Sequence, residues 1–147
     1  MIFHARLRAQ IITVVIAAEL GDMRRFAKAP QLMAYLGLVP SEHSSGESKR
    51  RGRITKTGNA HVRRALVESA WSYRFRPTMS REIRLRNQEA PVGVQRIAWK
   101  AQERLHKRYA RMMGRGMSKQ KTVTAIAREL AGFVWAIASE VPIKATN

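Results

Sequence analysis

The chain has no cysteine, which excludes disulfides and thiolate metal sites and permits a reducing compartment. Acid is nearly as scarce: ten Asp plus Glu stand against twenty-eight Lys plus Arg, and a single aspartate, Asp22, is present. The glutamates are scattered over predicted helices, so no carboxylate pair is set up to hold a metal. Four histidines occur, His4, His43, His61 and His106, none at a zinc-like spacing with a third ligand nearby. Long hydrophobic runs are missing too. Arg6 and Arg8 precede the apolar stretch 11–18 and imitate a short signal peptide. Glu19, Gly21 and Asp22 follow at once without an A-x-A cleavage pattern, and the stretch falls well short of the ~20 residues that span a bilayer. It reads as a core helix, and no membrane partner is expected.

What is abundant is positive charge. A net +18 on 147 residues is the electrostatic footprint of a nucleic-acid binder on a chain the size of one domain. A membrane surface would attract the same charge, but the arginines cluster in one Gly/Ser arm and along helix faces, and no lipidation signal is present.

Hydrophobic periodicity predicts a mainly helical, all-α chain. Helices are expected over 5–20, ended by Gly21-Asp22; over 30–36, with Pro30 at its first position and Gly37 after its last, packing Leu32, Met33, Tyr35 and Leu36 inward; and over 60–74, capped by Asn59. Pro77 breaks the chain. A short basic helix over 80–87, a linker over 87–93, and two long helices over 94–113 and 119–139 follow, the last capped by Ser118 and stopped by Pro142. Lys100, Arg104, Lys107 and Arg111 form a basic stripe on the first long helix, either a backbone track or a solvated face. Trp71 lies at helical spacing, where a core position competes with a base-stacking one.

Between the second and third helices lies a polar arm, residues 37–64, with serines at 41, 44, 45 and 48 and glycines at 46, 52 and 58. It carries Lys49, Arg50, Arg51, Arg53, Lys56, Arg63 and Arg64. Glycine lets backbone approach a ligand closely, and guanidinium forks match phosphate oxygens. Arg63 and Arg64 fall in the first turn of a helix, where cations oppose the helix dipole and a bound phosphate would relieve them. Residue types alone leave two readings open, a phosphate-binding arm and a solvated loop. A short β-hairpin inside the arm is compatible with both, and the segment RIT is the longest strand-like pattern.

The run GDMRRFAKAPQLMAYLGLVPSEHSSGESKRRGRITKTGNAHVRRALVESAW resembles the C-terminal domain of transposases of the insertion sequence 110 (110/116/902) family. The resemblance rests on a helix ending in YLGLVP, a Ser-Gly pair, GRITK-x-GN and an Arg-rich helix start, and it continues through the two long helices. It implies residues 14–141 as a serine-bearing, DNA-contacting domain, with 1–13 an atypical N-terminal segment, where MIFHARLRAQII replaces the family's Gly-x-Gly turn, and 142–147 a tail. It implies a recombinase that breaks and joins DNA through a transient phosphoserine. The nucleophile falls on Ser45, before Gly46, with Ser44 one register away. Lys49, Arg50, Arg51, Arg53, Lys56, Asn59, Arg63 and Arg64 are the implied nucleic-acid contacts. Family chemistry uses Mg2+ held by a separate N-terminal ribonuclease-H-like domain, so no cofactor is expected in this chain, which reads as a truncated transposase inactive alone. Element ends and target DNA are the implied ligands, guide RNA a further one, and a homo-oligomer or a mixed oligomer with intact transposase the implied assembly, in the bacterial cytoplasm on the nucleoid. The alternative is a stand-alone nucleic-acid binder or a trans-acting regulator of an intact transposase.

Overall fold

The computed structural model describes residues 15–16, 18–45 and 48–141, without the side chains of 43–51. Segment 1–13, the tail 142–147 and most of the expected first helix lie outside the described residues. Helical backbone is present at 15–16 and 18–20 and ends, as expected, at Gly21, whose φ is +59°.

Asp22 caps a 3-10 turn, Met23–Arg25, by accepting from the Arg24 amide. Helix α1 (Ala29–Tyr35) follows, with proline in its first turn and Leu36 as its C-cap. The arm then forms an antiparallel hairpin, β1 (Pro40–Ser45) with β2 (Ser48–Ile54). Helix α2 (Ala60–Ala70) is capped by the Asn59 side chain, which accepts from the Val62 amide, and tightens into a 3-10 turn at Trp71–Arg74. Ser80 caps the short helix α3 (Arg81–Asn87). Helix α4 (Val92–Gly114) starts two residues earlier than the periodicity suggests, directly after Pro91. Ser118 caps helix α5 (Lys119–Glu140). The described residues are thus predominantly helical, and the hairpin is their one sheet.

Helix α5 is the axis of the core. Its buried Val123, Ile126, Ala127, Leu130 and Ala131 recur at three- and four-residue spacing and meet α1, α2, α4 and the Met23–Arg25 turn. Opposite them lie Leu32 and Leu36 of the α1 segment, Val62 and Leu66 of α2, and Ala101, Leu105 and Tyr109 of α4. Each such branched side chain taken out of water contributes about 1.5–3 kcal/mol before the entropy of ordering the chain is set against it. Trp71 is half-buried against this cluster, the core position of its two readings.

Polar links hold the ends of the helices together. Arg104 and Arg108 of α4 both donate to Glu129 of α5, the latter at 2.6 Å. Burial alone would raise the Glu129 carboxyl, but the hydrogen bonds and charges of the two guanidiniums together hold it below the usual carboxylate range. Trp135 Nε1 donates to the Phe26 carbonyl at 2.8 Å, and Arg24 donates to the Val141 carbonyl at 2.9 Å, satisfying an orphan acceptor at the end of α5. Tyr35 differs from expectation. It is exposed, because its ring meets Phe26 in a tilted contact at 5.2 Å and lies under the Arg25 guanidinium at 4.9 Å instead of entering the core.

Candidate nucleic-acid interface

The arm is ordered by its base. Gly37 has φ +64° and Gly58 φ +73°, a left-handed backbone that glycine adopts without steric cost. The two positions interlock. A Cβ on Gly37 would overlap the Thr57 backbone, and a Cβ on Gly58 would overlap the Tyr35 carbonyl oxygen. The segment after β2 is thereby seated directly on the C-terminus of α1. Hydrogen bonds from Thr55 N to Val39 O and from Lys56 N to Gly37 O, each 3.0 Å, extend the ladder down to that contact.

Arg63 closes the same joint. Its Nη1 donates to the Leu36 carbonyl at 3.0 Å and to the Thr57 carbonyl at 2.9 Å. A cation in the first turn of α2 is unfavourable for α2, but here the guanidinium lies against the carbonyl end of α1, where positive charge is favoured. The offset comes from within the fold. Asn59 is similarly engaged, accepting from Val62 N and donating from Nδ2 to Glu19 at 2.9 Å. Both were candidate nucleic-acid contacts, and in this structure both side chains brace the arm.

Above the joint the hairpin runs from Pro40 opposite Ile54 to Ser45 opposite Ser48. The strands are longer than the RIT segment. One residue of β1, Ser41, faces two of β2, Gly52 and Arg53, and Ser41 Oγ donates to the Arg53 carbonyl at 3.0 Å. Such a bulge bends and twists a strand pair locally. Backbone pairing sets Ser44 opposite Lys49, His43 opposite Arg50 and Glu42 opposite Arg51, with Ser45 at the distal end. The candidate serine and the three β2 cations therefore share the outer half of one hairpin, while Arg53 and Lys56 are exposed near its base and Arg64 is exposed on α2. Lys56 has φ +56°, a left-handed conformation that costs an L-residue about 1–2 kcal/mol, so a cation is kept where glycine would be easier.

A cleft of about 840 Å³ opens between the base of the hairpin and the first half of α5. Arg53 and Lys56 line it from the arm, and Lys121 and Arg128 from the helix. The two helix residues were not among the candidates from sequence. Their signal was present, since seven residues make two helical turns and place Lys121 and Arg128 on one face. On α4 the stripe of Lys100, Arg104, Lys107 and Arg111 is exposed, with Arg104 tied to Glu129.

Among the described residues, no three His, Asp or Glu side chains come together to hold a metal ion, and no helix is long and apolar enough to cross a membrane. Asp22 caps a turn and Glu19 accepts from Asn59, while Glu42 stands alone in the hairpin opposite Arg51. The residues described here do not fit a Mg2+ site.

The model of the Transposase IS116/IS110/IS902 family matches residues 9–84, and the chain belongs to that family. It is 51% identical over 130 residues to a putative transposase, y4qE, of Sinorhizobium fredii, covering 88% of this chain and 33% of that protein. A probable family 20 transposase of Pseudomonas aeruginosa is 44% identical over 55 residues, 37% of this chain and 16% of the relative. The transposase for insertion sequence element IS1111A of Coxiella burnetii is 42% identical over 53 residues, 36% of this chain and 15% of the relative. The chain thus spans a third or less of the length of these relatives.

Proposed function

We propose that this chain is the serine-bearing, DNA-contacting part of an insertion-sequence transposase, lying C-terminally in the whole protein, and that Ser45 is the nucleophile position. One observation carries the reading: the hairpin is locked at its base by Gly37, Gly58 and Arg63, ends at Ser45, and exposes Arg53 and Lys56 beside the joint. Cations on a fixed support hold a phosphodiester at a set distance from the end of the arm, which is the positioning that strand transfer requires.

In the step the resemblance implies, Ser45 Oγ bonds to phosphorus while the bond from phosphorus to the departing sugar oxygen breaks. The serine proton passes to a base, and the departing oxygen takes up a proton. Serine at its ordinary protonation is a weak nucleophile and needs a base or a metal. No carboxylate cluster for that role exists among the described residues, so the acidic half of the chemistry comes from other residues of a longer transposase or from another protomer.

A second reading, a binder or regulator that joins an intact transposase in a mixed oligomer, is favoured by exposed apolar side chains at Phe75, Leu85 and Val92. Co-purification with a full-length relative separates the two. In the first reading the complex forms phosphoserine adducts that Ser45→Ala abolishes; in the second it forms without them.

Binding of duplex DNA across a salt series tests the contact surface. Arg53→Ala/Lys56→Ala is expected to weaken binding and to reduce the slope of log K against log salt by about 2. Ser45→Ala is expected to leave both unchanged. An unchanged slope in the double variant would remove the arm from the interface.

A further inference from the structure

We infer that the cleft between the hairpin base and α5 is a seat for unpaired nucleotides, with Lys121 and Arg128 as its phosphate contacts. This rests on the nucleic-acid reading above and adds to it a second element and a strand state.

The lining has two parts. Leu38, Pro40, Ile54, Met117 and Ala125 make an apolar floor, and Arg53, Lys56, Lys121 and Arg128 stand around it, with no carboxylate in the lining. Arg53, Lys56 and Lys121 are exposed and Arg128 is half-buried, so the charged heads can reach a ligand seated on the floor. No ion pair neutralises these four among the described residues. The first turn of α5 contains no acid either, so its dipole adds to the positive field instead of cancelling it.

A polyanion satisfies the rim, but the floor decides between strand states. In a duplex the base faces are stacked on one another and only phosphates and groove edges are presented, which leaves an apolar floor uncovered. An unpaired nucleotide presents a sugar and a base face that can cover Pro40, Ile54 and Met117 while its phosphates meet the four cations. The cleft lies at the base of the same hairpin that ends in Ser45, so a strand seated there continues toward the arm. DNA and RNA strands offer this shared chemistry.

The test uses the full chain and fluorescently labelled oligonucleotides of one sequence, as single-stranded DNA, single-stranded RNA and duplex DNA. Lys121→Gln/Arg128→Gln is the charge variant, Ala125→Trp fills the cleft, and Lys100→Gln/Lys107→Gln on α4 removes two charges elsewhere. Circular dichroism verifies folding of each. The expected result is a loss of about tenfold or more in single-strand affinity for both cleft variants, with duplex affinity and the α4 control within about threefold of the parent. A photoreactive benzoylphenylalanine at Ala125 should crosslink to the single strand. Which of the two single strands loses more identifies the source of the ligand. Equal losses on single strand and duplex, or a loss matched by the α4 control, would show that these cations supply only net charge and would overturn the inference. Unchanged single-strand affinity in both cleft variants would overturn it while leaving the arm reading intact. Failure of the parent chain to bind any of the three would refute both.

Discussion

Three glycines, one in the joint under the hairpin and two at the end of α4, make a graded prediction. At Gly58 an added methyl group has nowhere to go: the left-handed φ of +73° opposes any L side chain, and the Cβ would sit on the Tyr35 carbonyl oxygen. The conformational part costs about 1–2 kcal/mol, and forcing two backbone segments apart adds about 1–3 kcal/mol, so Gly58→Ala should lose about 2–5 kcal/mol. At Gly116, φ is +77° but nothing lies within 4 Å, so Gly116→Ala should show the conformational cost alone, about 1–2 kcal/mol. Gly114 ends α4 with no positive φ and open space around it, so Gly114→Ala should gain about 0.5–1 kcal/mol. Urea denaturation followed by circular dichroism reads all three. With a slope of about 2 kcal/mol per molar for a domain of this size, Gly58→Ala should shift the midpoint down by roughly 2 M. A loss under about 1 kcal/mol at Gly58 with an unchanged slope would mean that the arm and α1 are not pressed together, and the claim of a rigid base would fail.

Three further predictions concern single groups. Arg63→Ala should cost about 2 kcal/mol of stability through two lost charged hydrogen bonds, whereas exposed Arg64→Ala should leave stability within about 0.5 kcal/mol and reduce the salt slope of DNA binding by about 1. Because the folded Glu129 carboxyl is depressed, its contribution is present above the unfolded value of about 4.3 and is lost as pH falls through the folded one. The stability lead of wild type over Glu129→Gln at pH 7 should therefore shrink as pH falls below about 4.3 in paired urea titrations. Thr122 is fully buried and its hydroxyl has no hydrogen-bond partner among the described residues, so Thr122→Val should be neutral or raise stability by about 1 kcal/mol in thermal melts.

Helix placement was legible because its signals are local. Asn59 and Ser118 cap the helices they were expected to cap, Gly37 follows α1, and the buried face of α5 is its apolar one. The hairpin was less legible. PSEHSS and SKRRGRI carry neither β-branched enrichment nor apolar alternation, so only the long-range pairing and the joint at Gly37 and Gly58 reveal the full strands. The roles of Arg63 and Asn59 needed three dimensions for the same reason. The carbonyls of Leu36, distant in sequence, and of Thr57, on the far side of the loop before Arg63, are found beside its guanidinium only in the fold. Tyr35 was misplaced because helical spacing names a face but cannot foresee that Arg25 and Phe26 hold the ring outside.

The hairpin also works as a ruler. A six-residue strand such as Pro40–Ser45 measures roughly 17–20 Å, and its lower end is bolted to helix α1, so the candidate serine stands at a fixed reach from the helical body. Whatever strand it meets is met at that distance, clear of the core, and the sequence of the body can drift without moving the meeting point. Deleting two facing residue pairs, two residues from each strand, would shorten the reach by about 7 Å while leaving the joint unchanged. In such an arm, geometry is set by counting residues.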